Sequence, residues 1–234
     1  MSAVWKRELK AYLKSPVGYV YLFLFLFATG FIFCTINVRN GISDVQYYFQ
    51  MCCYILIVAI PLLTMRLYPE ERKNKTDQIL ITAPISITKM VLGKFFAAYS
   101  MFLISLIPTL FCVGFLLIYG NLEWGVVLGN YVGFLLMGAA YIAIAMLMSC
   151  VTESPIIAFM LGLFSLLFFA LCDLLLSITD WAIITKLVNL ISVSTRFLGF
   201  STGLFDLSAI FYFISLAVIF LFLNIRIIDK RRWS

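Results

Sequence analysis

Residues 95–122 read FFAAYSMFLISLIPTLFCVGFLLIYGNL, 28 consecutive positions without a charged side chain. A helix needs about 20 apolar residues to cross the hydrocarbon core of a bilayer, so this stretch spans it with length to spare. Working outward, five more charge-free intervals appear at 15–38, 45–65, 124–152, 154–172 and 207–225. Helix is the conformation to expect for each, because lipid offers no partner to an exposed backbone N–H or C=O. Runs such as YLFLFLF (21–27) and LLFFALCDLLL (166–176) are apolar on every side and lack the alternation of a membrane barrel. The sequence predicts an all-α integral membrane protein with six transmembrane helices.

Hydrophobic residues make up 64% of the 234 positions and charged residues 12%, where soluble domains carry roughly one-quarter charge. The net charge of +6 is unevenly placed. With the N-terminus inside, the inner segments hold Lys6, Arg7, Lys10 and Lys14, then Arg66, Arg72, Lys73, Lys75, Lys89 and Lys94, and finally Arg226, Lys230, Arg231 and Arg232. Only Arg39, Lys186 and Arg196 are left outside. That is the positive-inside pattern, so the basic balance reports topology rather than a nucleic-acid partner, and both termini and the 66–94 loop are expected in the cytoplasm. The basic start followed by an apolar run resembles a signal peptide, but FIFC continues past the ATG at 28–30 and the segment is read as a retained first span.

Catalytic chemistry has little to work with. The chain contains no histidine, which removes His-based triads and HExxH zinc sites. Gly93-Lys94 lacks a glycine five positions earlier, so no P-loop is present and no residue of this chain is expected to bind ATP, another cofactor or a metal. Cys34, Cys52, Cys53, Cys112, Cys150 and Cys172 lie in or at the ends of apolar runs without CxxC spacing, and read as small packing residues.

The expected spans are 17–37, 46–65, 95–119, 126–149, from Pro155 to near Ser177, and 207–225, in one domain covering 1–234. Before them, residues 1–15 form an interfacial helix: Val4 or Trp5, Leu9, Tyr12 and Leu13 share a face and the basic residues occupy the rest, with Pro16 ending it. The extracytoplasmic loop 179–206 is long and apolar. Trp181, Ile184, Leu187, Val188 and Ile191 share a helical face there, so a helix at or dipping into the outer interface is expected, followed by an irregular stretch containing Gly199 and Gly203. Gly125, Gly129 and Gly133 form two overlapping GxxxG steps that invite close helix packing, with a partner the spacing does not name. Asp173 is the one acid inside an apolar run, either an intramembrane polar site or an interfacial anchor. Pro61 and Pro108 remove backbone donors inside spans two and three.

The loop 66–94, RLYPEERKNKTDQILITAPISITKMVLGK, concentrates 9 of the 28 charged residues. Pro69 opens a polar stretch with Glu70 and Glu71 early, as a helix N-terminus favours. Thr76 and Asp77 can cap a second short helix, in which Ile79, Leu80 and Ile81 expose apolar side chains. Pro84 breaks it, Ser86 or Thr88 restarts a helix, and Lys94 marks the start of span three. A short amphipathic helix on the cytoplasmic face is what a docking surface for a soluble partner requires.

The segment PLLTMRLYPEERKNKTDQILITAPISITKMVLGKFFAA (61–98) resembles the region after the second span in permease subunits of type-2 ATP-binding cassette (ABC) exporters. That pattern has an acidic pair, a basic stretch, a threonine, a leucine-rich turn, a proline and a Gly-Lys pair leading into the third span. Lys75 stands where the pattern often has glycine. KRELKAYLKSPVGYVY (6–21) and LFLNIRIIDKRRW (221–233) are similar to the gliding-motility-associated branch of that family. The resemblance implies a non-catalytic membrane subunit of an ATP-driven exporter in a bacterial plasma membrane. Residues 1–15 would be its connecting helix, 66–94 its coupling loop, and 180–206 its short outer helices. Glu70, Glu71, Arg72, Thr76, Leu80 and Pro84 would contact a cytoplasmic ABC ATPase subunit that holds ATP and magnesium, and a second permease chain, identical or different, would complete the path. The alternative is a non-transport scaffold that uses the same loop to hold a cytoplasmic protein.

Overall fold

The computed structural model describes residues 1–41, 44–75, 86–119, 123–178, 192–203 and 206–232, without the side chains of 119, 173–178 and 231–232. Among these residues every regular element is helical: α1 (Ser2–Lys14), α2 (Pro16–Ile32) continued by a π-helical stretch (Phe33–Val38), α3 (Val45–Thr64) and α4 (Pro69–Lys73). They are followed by α5 (Ile87–Tyr119), α6 (Trp124–Val151), α7 (Pro155–Ile178), α8 (Ser194–Ser201) and α9 (Leu207–Arg232). Six helical stretches are long and apolar enough to cross a membrane: α2 with its π-helical extension, the stretch from α3 through α4, α5, α6, α7 and α9.

Local chemistry sets the boundaries. Ser15 is held extended (φ −94°, ψ 145°) ahead of Pro16, which breaks α1 from α2, and its hydroxyl accepts a hydrogen bond from the Gly18 amide. The reversal is so tight that a Cβ on Gly18 would lie 2.1 Å from the Tyr12 carbonyl oxygen. Asp44 caps α3 by accepting from the Tyr47 amide at 3.1 Å. α3 and α5 continue through Pro61 and Pro108, and the Pro61 ring lies against Gly162 of α7. The helix expected to restart at Ser86 or Thr88 begins at Ile87 and runs without a break into the third span, so α5 extends two turns ahead of it.

α6 is the centre of the bundle. In its most apolar 18-residue stretch 67% of the residues are buried, against 22% for α2, α7 and α9, which form the periphery. Its small residues make this possible. A Cβ on Gly138 would fall 2.3 Å from the Phe102 ring of α5, and Gly129 and Gly133 receive α8 in the same way, with a Cβ meeting the Phe200 carbonyl oxygen at 2.4 Å or the Phe200 Cβ at 2.9 Å. Gly203, at φ +80°, closes this contact beside the Gly125 backbone. The glycine stripe therefore packs within the chain. Gly125 itself faces open space.

Two sequence expectations change here. The stretch around Gly199 is helical, because Phe197 and Phe200 bury themselves while Gly199 faces outward and meets nothing. The apolar face of α1 lies on protein rather than lipid: Val4 and Tyr12 are buried, Trp5 and Leu9 are half-buried, and only Leu13 stays exposed. Gly93 explains the change, since a Cβ there would press on the Val4 side chain at 3.0 Å, and its absence lets α1 lie against α5. The expected helix over 181–191 lies outside the described residues.

Candidate functional site

The most densely connected polar site lies at the basic end of the bundle, where α1, α4 and the first turns of α5 meet the ends of α3 and α6. Its centre is Lys94. Placed two turns into α5 beside Gly93, it is completely buried, where an unpaired ammonium would be prohibitive. Its Nζ donates to the Leu67 carbonyl at 2.6 Å, lies 2.8 Å from Glu71 Oε2 and 3.7 Å from Glu8 Oε1, and sits over the Tyr68 ring, 5.0 Å from its centroid. The Leu67 carbonyl belongs to the turn following α3, so the cation also pairs a buried backbone acceptor in the link between α3 and α4.

Arg7 completes the cluster. Its guanidinium reaches Glu8 at 2.5 Å and Glu71 at 2.6 Å. Two cations and two carboxylates from α1, α4 and α5 thus neutralise one another, as partly buried charges must. Burial works to lower the Arg7 pKa, but hydrogen bonds and attraction from Glu8 and Glu71 outweigh it and raise the group above its ordinary value. Nearby, the Tyr12 hydroxyl donates to the Leu63 carbonyl at 2.8 Å. Burial pushes that phenol well above its usual range, so it stays a neutral donor pinning α1 to the end of α3.

The residue after Glu71 points elsewhere. Arg72 donates to the Thr152 carbonyl at 3.0 Å and to the Cys150 carbonyl, bringing a cation to the unpaired C-terminal carbonyls of α6. Glu70 remains near the surface, paired with Arg66 one turn earlier. α4 is therefore a single turn gripped from both sides, with its last residue Lys73 exposed and Asn74 and Lys75 exposed beyond it. Lys75 adopts φ +55° and ends the turn in the left-handed conformation that glycine takes most easily. At this position, where the related pattern often has glycine, the backbone keeps a glycine-like geometry.

Of the residues singled out in the sequence, Glu70, Glu71 and Arg72 are gathered here, with Glu71 and Arg72 turned into the protein. Thr76, Leu80 and Pro84 lie outside the described residues, as does the Asp173 side chain, whose backbone belongs to α7. Sequence reading missed Lys94, Glu8 and Arg7 as members of one cluster. A usable signal existed: Glu8 is the only acid in an otherwise basic helix. Among the described residues no disulfide joins the cysteines, and no group of His, Cys, Asp or Glu is arranged to hold a metal.

Toward the opposite end, a cavity of about 220 Å3 lies among α3, α6, α7 and α8, lined by residues that include Gln50, Tyr54, Met137, Tyr141, Ala170 and Phe197. Among the described residues no charged side chain lines it.

Six apolar helices around a glycine-lined centre, with a charge clamp at the basic end, define a multi-pass membrane protein built as a permease. Residues 9–169 match the profile of the ABC-2 family transporter proteins, and the chain belongs to that family. The match runs from α1 through the clamp to α7 and covers more than half of the chain. A comparison with curated proteins finds no match.

Proposed function

We propose that this chain is the non-catalytic membrane subunit of an ATP-driven exporter, and that α4 and the loop following it carry force from a separate cytoplasmic ATPase into the helix bundle. The observation that carries the reading is the two-sided grip on α4. Glu71 ties it to α1 and α5 through Arg7 and Lys94, and Arg72 ties it to the end of α6. A push on the exposed Lys73–Lys75 end is therefore delivered to three helices together, as a rocking transition between inward- and outward-open states requires.

The positive-inside distribution of charge supports the reading that this end faces the cytoplasm, and the resemblance to bacterial exporters supports a plasma-membrane setting. Glu70 and the stretch holding Thr76, Leu80 and Pro84 make the ATPase contact, while Glu71 and Arg72 position it from within. ATP and magnesium belong to that partner. A second permease chain, identical or different, completes the path, and the cavity among α3, α6, α7 and α8, whose described lining is uncharged, suits cargo with an apolar body. The likeness of residues 6–21 and 221–233 to the gliding-motility-associated branch supports a place for the chain there.

Gentle purification from the native membrane, followed by mass spectrometry, tests this. A stoichiometric soluble P-loop ATPase, lost when residues 73–85 are replaced, is the expected result. A stable complex with other proteins and no ATPase would replace the exporter reading with that of a scaffold.

A further inference from the structure

α1 separates its charges by face. Glu8, its only acid, is turned inward, with 13% of its side chain exposed, and is met by Arg7 and Lys94. Lys6, Lys10 and Lys14 fall four residues apart, on one row of the helix, and all three are exposed. None of them forms an ion pair among the described residues. At 100° per residue, Leu13 lies between Leu9 and Lys6 around the helix, and it is 43% exposed although the rest of the apolar face is covered by protein. Lys14 directly precedes the turn into α2, whose outward row of Tyr19, Phe23, Phe27 and Phe31 is exposed throughout. An uncovered leucine beside an unpaired lysine row, at the foot of a membrane-crossing helix with an aromatic outer face, is the chemistry of a lipid boundary. Lysine stems run along apolar surface there while their ammonium groups reach the headgroups.

We infer that the Lys6–Lys10–Lys14 face of α1 is a binding surface for the phosphate groups of anionic phospholipids. The inference needs only the membrane placement of the chain and holds whether or not it transports anything. Because Glu8 on the opposite side of α1 meets Lys94, and Arg7 beside the lysine row reaches Glu71, headgroups held by the row steady the same turn that α4 forms. This second consequence rests on the coupling role proposed above.

Each lysine near an anionic surface contributes roughly fivefold to headgroup preference. The test is native mass spectrometry of the full-length chain released from mixed micelles holding equal amounts of phosphatidylglycerol and phosphatidylcholine. The wild-type chain is expected to retain phosphatidylglycerol preferentially. The triple variant K6Q/K10Q/K14Q should lose that preference by at least about tenfold, and K6R/K10R/K14R should keep it, a control for folding. Free inorganic phosphate at the same concentration should not displace the lipid, since it has no chain to lie beside Leu13. An unchanged preference in the glutamine variant, or no preference in the wild type, overturns the inference. So does a glutamine variant that keeps its lipids but loses a co-purifying soluble protein, because the lysine row would then be a protein contact. ATPase coupling does not enter the readout, so failure here leaves the exporter reading untouched.

Discussion

Glu71 and Arg72 are adjacent in the chain and hold opposite sides of the bundle. Glu71 closes on Lys94 at 2.8 Å and on Arg7 at 2.6 Å, while Arg72 donates to the Thr152 carbonyl beyond α6 at 3.0 Å. A five-residue helix has no stability of its own in water. α4 exists because these side chains and the buried Pro69 fasten it, and it responds to whatever moves its exposed end.

Removing the central cation should be costly. Lys94→Met leaves Glu8 and Glu71 facing each other with Arg7 alone, and is expected to destabilise the chain by about 3 kcal/mol. Thermal unfolding of the purified chain in detergent measures this. The double variant Lys94→Met/Glu71→Met should lose less than the sum of the two single changes, because the second substitution removes a carboxylate already stranded by the first.

At Lys75 the expected order of stability is Gly, then Lys, then Val. The left-handed conformation costs an L-residue about 1–2 kcal/mol, partly offset for glycine by its freer unfolded state. Lys75→Gly should therefore stabilise the turn by up to about 1 kcal/mol, and Lys75→Val should weaken it, since a branched Cβ fits φ +55° worst. Hydrogen exchange at the Asn74 and Lys75 amides, which bond back to the Glu70 and Arg72 carbonyls, reports the difference.

The glycine stripe on α6 makes a contrasting pair. Gly129→Ala places a methyl group against the Phe200 backbone and is expected to cost about 1–3 kcal/mol and loosen α8. Gly125→Ala enters open space and should be nearly neutral. Labelling of a cysteine introduced at Ser201 should speed up in the first variant and not in the second.

Membrane spans were legible because each is a charge-free interval long enough to cross lipid, and their positions follow within a turn or two. Contacts between distant residues were not. Gly125, Gly129 and Gly133 announced close packing, yet spacing alone could not say that Phe200, some 70 positions later, fills the groove. Lys94 read as the marker of a helix start because a lysine flanking an apolar run normally lies in water. Only the fold reveals that Glu8, Glu71 and the Leu67 carbonyl surround it. Gly199 read as a break because glycine lowers helix propensity, but burial of the neighbouring Phe197 and Phe200 outweighs that cost of about 1 kcal/mol.

The most direct test of the clamp as a coupling element is the ATPase rate of the intact complex, compared between wild type and a Glu71→Gln/Arg72→Gln variant with the amount of bound ATPase subunit measured in parallel. The subunit is expected to stay bound, since Glu71 and Arg72 face inward, while stimulation of hydrolysis by the permease falls at least about tenfold. A variant that hydrolyses ATP and transports at the wild-type rate would contradict it.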